Sequence, residues 1–340
     1  MNNSKKMPDP ASLGCFNQYA YAESFIFSDG PAKNSRGIRI STGAGLTFVV
    51  LPDRGMDIWR AEYRGRTFSW LSPCGPKAPE FLEHGDTAWL RNWPGGLLTG
   101  TGLQNVGSPC DYNGEHHTLH GRLSNLPARD ISVQHIEDEQ GHHIEICGTV
   151  CDSAVFGIHL ELKRKIRCTA GSNKIQIQDT IRNCGFRATP AQILYHINLG
   201  WPLLSENSVL IAPPHEIQAR NEEAAAHIRT WDQAEIPQED FQEQCFYHDI
   251  PADADGYAGM SLCNPLENLQ FTVRYCKKEL PVFTQWKQMG KGEYVMGLEP
   301  GTCHPEGLAE EDAKFHNLRI LSHGDSFATH LTLEIAEMDC

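Results

Sequence analysis

Between residues 144 and 181 apolar side chains recur at every second position in three successive runs, a spacing that commits this stretch to extended strands with one buried face. HHIEICGTV sets Ile144, Ile146 and Val150 on one face, HLELKRKIRC sets Leu160, Leu162, Ile166 and Cys168, and NKIQIQDTIRN sets Ile175, Ile177 and Ile181. The connectors EDEQG (137–141) and AGSN (170–173) are rich in turn formers, so the segment reads as an antiparallel meander with its other face in solvent. The densest basic run, KRKIR at 163–167, alternates with apolar residues and is expected on that solvated face.

The pattern extends along the chain. LTFVVLP (46–52) reads as a strand and 57–71 as a hairpin through Arg64-Gly65-Arg66, with later strands at 190–199, 207–212, 270–276, 282–288, 293–299 and 327–336. ARNEEAAAHIRTW (219–231) has the best local helix propensity, from its Ala and Glu content, and reads as a surface insertion. Many strands without βαβ alternation indicate an all-β chain: a large antiparallel β-sandwich with few short helices.

At 340 residues the chain is long enough for a sizeable core, and no linker, repeat or low-complexity tract divides it. We expect one domain over 21–340 and a loose tail over 1–20. A formal charge of −14 argues against nucleic acid or an anionic membrane, because phosphate binding needs clustered Lys and Arg. Twelve cysteines invite a disulfide framework, but MNNSKKMPDP offers no apolar stretch to direct export, so reduced thiols in a cytoplasmic protein are expected. No CxxC pair exists to build a zinc site, and no run approaches the roughly 18 apolar residues of a membrane span.

Three short segments carry the candidate chemistry: HTLHGRLSN (117–125), LYHINLGWPLL (194–204) and YVMGLEPG (294–301). Each puts one titratable side chain on or beside an apolar run, namely His120, His196 and Glu299. Imidazole titrates near neutrality and a partly desolvated carboxyl gains proton affinity, so such a set suits acid/base work on a sugar ring. A strand histidine hydrogen-bonded in the core is the plain alternative for either histidine, and a strand-end carboxylate paired with Lys or Arg is the one for Glu299.

These segments resemble the catalytic segments of the galactose mutarotase (aldose 1-epimerase) superfamily. LHG at 119–121 is similar to the LHGG motif, with Arg122 in place of the second glycine; His196 followed by Asn198-Leu199 resembles the second histidine motif at shorter spacing; Leu298-Glu299-Pro300 resembles the strand that carries the general base. An uncharacterised branch of that superfamily resembles the chain further, through PDRGMDI (52–58), WLRNWPGGLLTGTGLQNVG (89–107), HGRLSN (120–125), YHINLGWPLL (195–204) and LEPGT (298–302).

The resemblance implies an isomerase in which Glu299 takes the anomeric hydroxyl proton, His196 protonates the ring oxygen and His120 holds that oxygen or a neighbouring hydroxyl, with no metal and no cofactor. It also places an arginine that contacts sugar hydroxyls upstream of the first histidine, where Arg91 stands. Arg91 and Trp93 would supply a planar donor and an aromatic platform. Trp201, Gln285 and Lys287, close to the catalytic strands, and His117, Arg122 and Asp249 complete the substrate-binding candidates. Arg54 and Asp57 are expected in a structural ion pair or turn. The expected partner is a small sugar, and a homodimer is left open.

Three rivals remain at this point. His117, His120 and Glu299 could ligate a divalent metal in a cupin-like isomerase, although 117 and 120 face opposite ways in an extended strand while 116 and 120 share a face. The sandwich could be a non-catalytic sugar-binding or regulatory module. The catalytic set could instead serve a C–O lyase or another epimerase on an oxidised or phosphorylated sugar, if Arg91, Arg122 and Lys287 converge.

Overall fold

The computed structural model describes residues 8–338. Two large antiparallel sheets, of eleven and eight strands, enclose the main core. The eight-stranded sheet runs Val209–Ile211, Tyr257–Asn264, Leu269–Cys276, Ser326–Glu337, Lys174–Asn183, His159–Thr169, Gly141–Ser153, Arg129–Asp138. Three of its last four strands are the runs read from the alternation, and Arg129–Asp138 completes the meander. Register pairs Ile146 with Ile166 and Ile166 with Ile177, so the apolar residues form continuous rows on one face, all of them buried.

The eleven-stranded sheet runs Tyr21–Ile26, Arg36–Ser41, Leu46–Leu51, Asp57–Tyr63, Leu98–Leu103, Gln192–Leu199, Glu293–Gly301, Val282–Gly290, Gln244–Asp249, Glu216–Ala219, with Arg66–Thr67 paired to Asp57–Tyr63. One face, carrying Ile193, Tyr195, Ile197, Phe283, Met296 and Leu298, packs on the other sheet. The opposite face is left to hold the site. Helices are short, and among the described residues none is long and apolar enough to cross a membrane.

Three expectations change. KRKIR is not wholly solvated: Arg164 stands on the inward parity between Leu162 and Ile166 and is fully buried. It is matched there by Asp179, with Nε and Nη2 at 3.0 and 2.7 Å, and lies 3.4 Å from Asp57, which itself accepts from the Gly100 amide at 2.8 Å. A buried charge is tolerated only when so paired. Asp57 is structural as expected. So is Arg54, which donates to the carbonyls of Ser124 and Asn92 rather than pairing directly with its neighbour.

The helix over 219–231 shrinks to Glu222–Ala226, capped by the Asn221 side chain, followed by the 3₁₀ turn Ile228–Thr230. So short a helix lives on its contacts rather than its propensity. The segment is also more than a surface insertion, because the carbonyls of Thr230 and Trp231 accept from Lys287 Nζ and Gln285 Nε2. Of the expected tail, residues 1–7 lie outside the described residues, whereas Phe16 packs on His142 and Ala20 is buried.

Candidate active site

Strand register assembles the site. His196 pairs with Thr99, Glu299 with Thr284 and Thr284 with Tyr247, while Ile197 pairs with Leu298 and so sets His196 beside Glu299. Residues at matched positions of neighbouring strands point to one side, so this row crosses the face turned away from the other sheet. His196 Nε2 lies 3.3 Å from Glu299 Oε1, with the two side chains 6% and 2% exposed. The His196 Nδ1 and Glu299 Oε1 atoms are buried without a hydrogen-bond partner among the described residues.

Loops bring the third residue. His120 sits at φ 56°, with its amide donating to the Gly107 carbonyl at 2.8 Å. The Gly107 amide donates in turn to His120 Nδ1 at 3.3 Å, which leaves the ring hydrogen on Nε2. Gly121 must follow: its φ is 66°, and a Cβ there would meet the Gly102 carbonyl at 2.4 Å. The His120 and His196 rings lie 5.8 Å apart, edge to face.

Tryptophans wall the cleft. The helix Trp89–Asn92 stacks Trp89 on Trp93 at 4.7 Å, and Trp93 is fixed by its indole donating to Thr99 Oγ1 at 3.0 Å. Trp89 packs on His120 and Trp286 on His196, at 4.5 and 5.3 Å. The enclosed volume is about 250 Å³. Aromatic faces suit the CH face of a pyranose, and the remaining polar atoms its hydroxyls.

Burial governs the electrostatics. It holds the Glu299 carboxyl well above its ordinary range, with Glu243 adding to the rise and Arg220 opposing it. It pushes His196 down to about 4, with the nearby Asn198 side chain opposing the fall, and His120 down to about 3, helped by His196 and Arg220. Near neutral pH both imidazoles are therefore neutral, beside a carboxyl whose proton affinity burial has raised.

The structure brings His120, His196, Glu299 and Trp93 together and places the other candidates elsewhere. Arg91 points to solvent beside Glu83 at 3.6 Å and does not line the cleft. Trp201 is exposed against Arg66. Gln285 and Lys287 have the wrong strand parity: as Thr284 and Trp286 face the cleft, they face the other way, to His248 and Glu235. Asp249 pairs with Lys277 at 2.9 Å, next to a different cavity. His117 and Arg122 line a separate space of about 430 Å³, where Arg122 pairs with Asp152 at 3.0 Å.

Two rival constellations dissolve with those placements. His117 is not beside Glu299, His116 is tied to Asp86 and Asp111, and among the described residues no three His, Cys, Asp or Glu side chains converge to hold a metal. Nor do Arg91, Arg122 and Lys287 converge, since each has its own carboxylate partner in a different place.

Sequence reasoning missed Arg220, Glu243, Trp286 and Thr284, which line the cleft, and Glu306, which anchors Arg220. Trp286 and Thr284 were accessible from the parity of the 282–290 strand against Glu299. For Arg220 there was no signal, because it lay in a run that reads as helical.

The sequence matches the family described as Domain of unknown function (DUF4432) over residues 32–335. No curated protein matches it. Among solved structures, a provisionally assigned aldose 1-epimerase of Klebsiella pneumoniae subsp. pneumoniae MGH 78578 is similar at 26% identity and TM-score 0.87, covering 95% of this chain and 86% of that one. A galactose mutarotase-like protein of Clostridium acetobutylicum is 13% identical at TM-score 0.65, covering 95% and 100%. Galactose 1-epimerase of Lactobacillus acidophilus NCFM is 13% identical at TM-score 0.59, covering 94% and 100%. The chain belongs to the DUF4432 family, an uncharacterised branch with the galactose mutarotase-like fold.

Proposed function

We propose that this protein is an aldose 1-epimerase-like isomerase acting on an uncharged sugar. The observation that carries the reading is the approach of His196 Nε2 to Glu299 Oε1, 3.3 Å apart and buried beneath a tryptophan-walled cleft. A pair sharing one proton has two tautomers of equal proton count, carboxylate with imidazolium and carboxyl with imidazole. In the first, Glu299 takes the proton of the anomeric hydroxyl as its oxygen becomes a carbonyl, the bond from C1 to the ring oxygen breaks, and His196 delivers its proton to that oxygen. The second tautomer results, the one that burial favours. Rotation about C1–C2 and the reverse transfers close the ring as the other anomer and restore the first.

His120, neutral and with its hydrogen on Nε2, donates a hydrogen bond without changing charge. An uncharged substrate fits because Arg220, the cleft's one cationic side chain among the described residues, is matched by Glu306 and approached by Glu243. The test is NMR exchange between anomers of freshly dissolved pure aldoses, with and without EDTA. Accelerated exchange that survives chelation is expected. Abolition by EDTA with recovery on adding one divalent ion replaces this reading with a metal-dependent one, and sugar binding without exchange replaces it with a binding module.

A further inference from the structure

Arg220 enters the cleft from the end of the edge strand Glu216–Ala219, its amide donating to the Cys245 carbonyl at 3.0 Å. Five N–H bonds radiate from a guanidinium. Two go to Glu306: Nε and Nη2 donate to its Oε1 and Oε2 at 3.1 and 3.0 Å. The Tyr247 hydroxyl also donates to Glu306 Oε1, so the carboxylate that grips Arg220 is itself gripped. Nη1 is different: among the described residues it donates one long bond to the Cys245 thiol at 3.8 Å and lies 3.8 Å from Glu243 Oε1, which leaves its other N–H without a bonded acceptor.

Glu243 is fixed from its other side, because Trp286 Nε1 donates to its Oε2 at 2.8 Å. A donor and an acceptor thus face each other across 3.8 Å, too far to bond directly. That spacing admits one hydroxyl oxygen at bonding distance from both, accepting from the guanidinium and donating to the carboxylate. A sugar hydroxyl has this dual character; a phosphate, which only accepts, would meet the repulsion of Glu243.

We infer that Arg220 Nη1 and Glu243 Oε1 form a hydroxyl-reading subsite that selects one sugar hydroxyl next to the reacting centre. The subsite rests on the proposed reading only in taking the ligand to be a sugar. Beyond the effect of burial, both charges act on the Glu299 carboxyl, which places the subsite within electrostatic reach of the catalytic pair. Trp286 shares the subsite through Glu243 and reports its occupancy.

The experiment is a tryptophan-fluorescence titration of the full chain with D-galactose, D-glucose and their 2-, 3-, 4- and 6-deoxy analogues, run in parallel with anomer exchange. The wild type is expected to bind one deoxy analogue roughly 10- to 100-fold more weakly than the parent, the range for a hydrogen bond to a charged group. Arg220→Lys and Glu243→Gln should lose a comparable factor for the parent and little more for that analogue. Because Arg220→Gln strands Glu306, the double variant Arg220→Gln/Glu306→Gln checks the result in a charge-neutral background.

Equal losses for every sugar, or none, would overturn the subsite. Discrimination without anomer exchange would sink the isomerase reading and leave the subsite standing. Exchange in the wild type with unaltered selectivity in the variants would do the reverse, and absence of both binding and exchange would remove both.

Discussion

Glu299 stands free in its cleft because of Gly297. A Cβ at that position would lie 2.4 Å from Glu299 Oε1 and 3.0 Å from the Trp286 Cβ, so any larger residue displaces the carboxyl or the wall. Desolvation then sets the protonation states, and with them a testable consequence. With His120 and His196 pushed down to about 3 and 4, both rings stay neutral as pH falls from 8 to 5, and neither gains its proton until well below the ordinary imidazole range. Nitrogen NMR should show two imidazoles that do not titrate over that span, with His120 protonated on Nε2. A midpoint near 6.5 for either ring would contradict the desolvated site. At this scale the sequence revealed His120, His196 and Glu299 through their motifs, but choosing Gln285 and Lys287 over Thr284 and Trp286 was an error of a single residue. In a strand that error moves a side chain to the opposite face.

Among the elements, the strand Gln192–Leu199 carries the most. Its front presents His196, while on its back Tyr195 donates to Asp179 Oδ2 at 2.7 Å and bonds Thr329, tying the strand to Arg164 and the other sheet. Tyr195→Phe should lower the unfolding free energy by about 1–3 kcal/mol, the cost of leaving buried partners unsatisfied. Asp179→Asn should cost more, about 3–5 kcal/mol, because it leaves Arg164 without its principal counter-charge. Urea unfolding ranks the two, and a smaller loss for Asp179→Asn would show that burying Arg164 does not depend on its pairing with Asp179. The meander strands were legible because their alternation is strict. Arg164 was not, since charge dominates a reading of KRKIR while parity alone reveals that its second residue points inward.

For the molecule as a whole, stacking two sheets leaves the outer face of the eleven-stranded sheet free, and the cleft forms where loops from distant parts of the chain meet on it. Residue 89 reaches 120, and 220 reaches 306, through contacts that no local pattern encodes. This is why the sandwich was readable from periodicity while half of the cleft was not. In the proposed reaction one proton shuttles between Glu299 and His196 as anomers interconvert, and anomer-exchange rates by NMR for wild type, Glu299→Gln, His196→Asn and the double variant test this step directly. Each single change is expected to lower kcat by about 10²-fold or more with the fold intact, and the double variant to lose clearly less than the product. Wild-type exchange by the Glu299→Gln protein, on an aldose that the wild type turns over, would contradict this step.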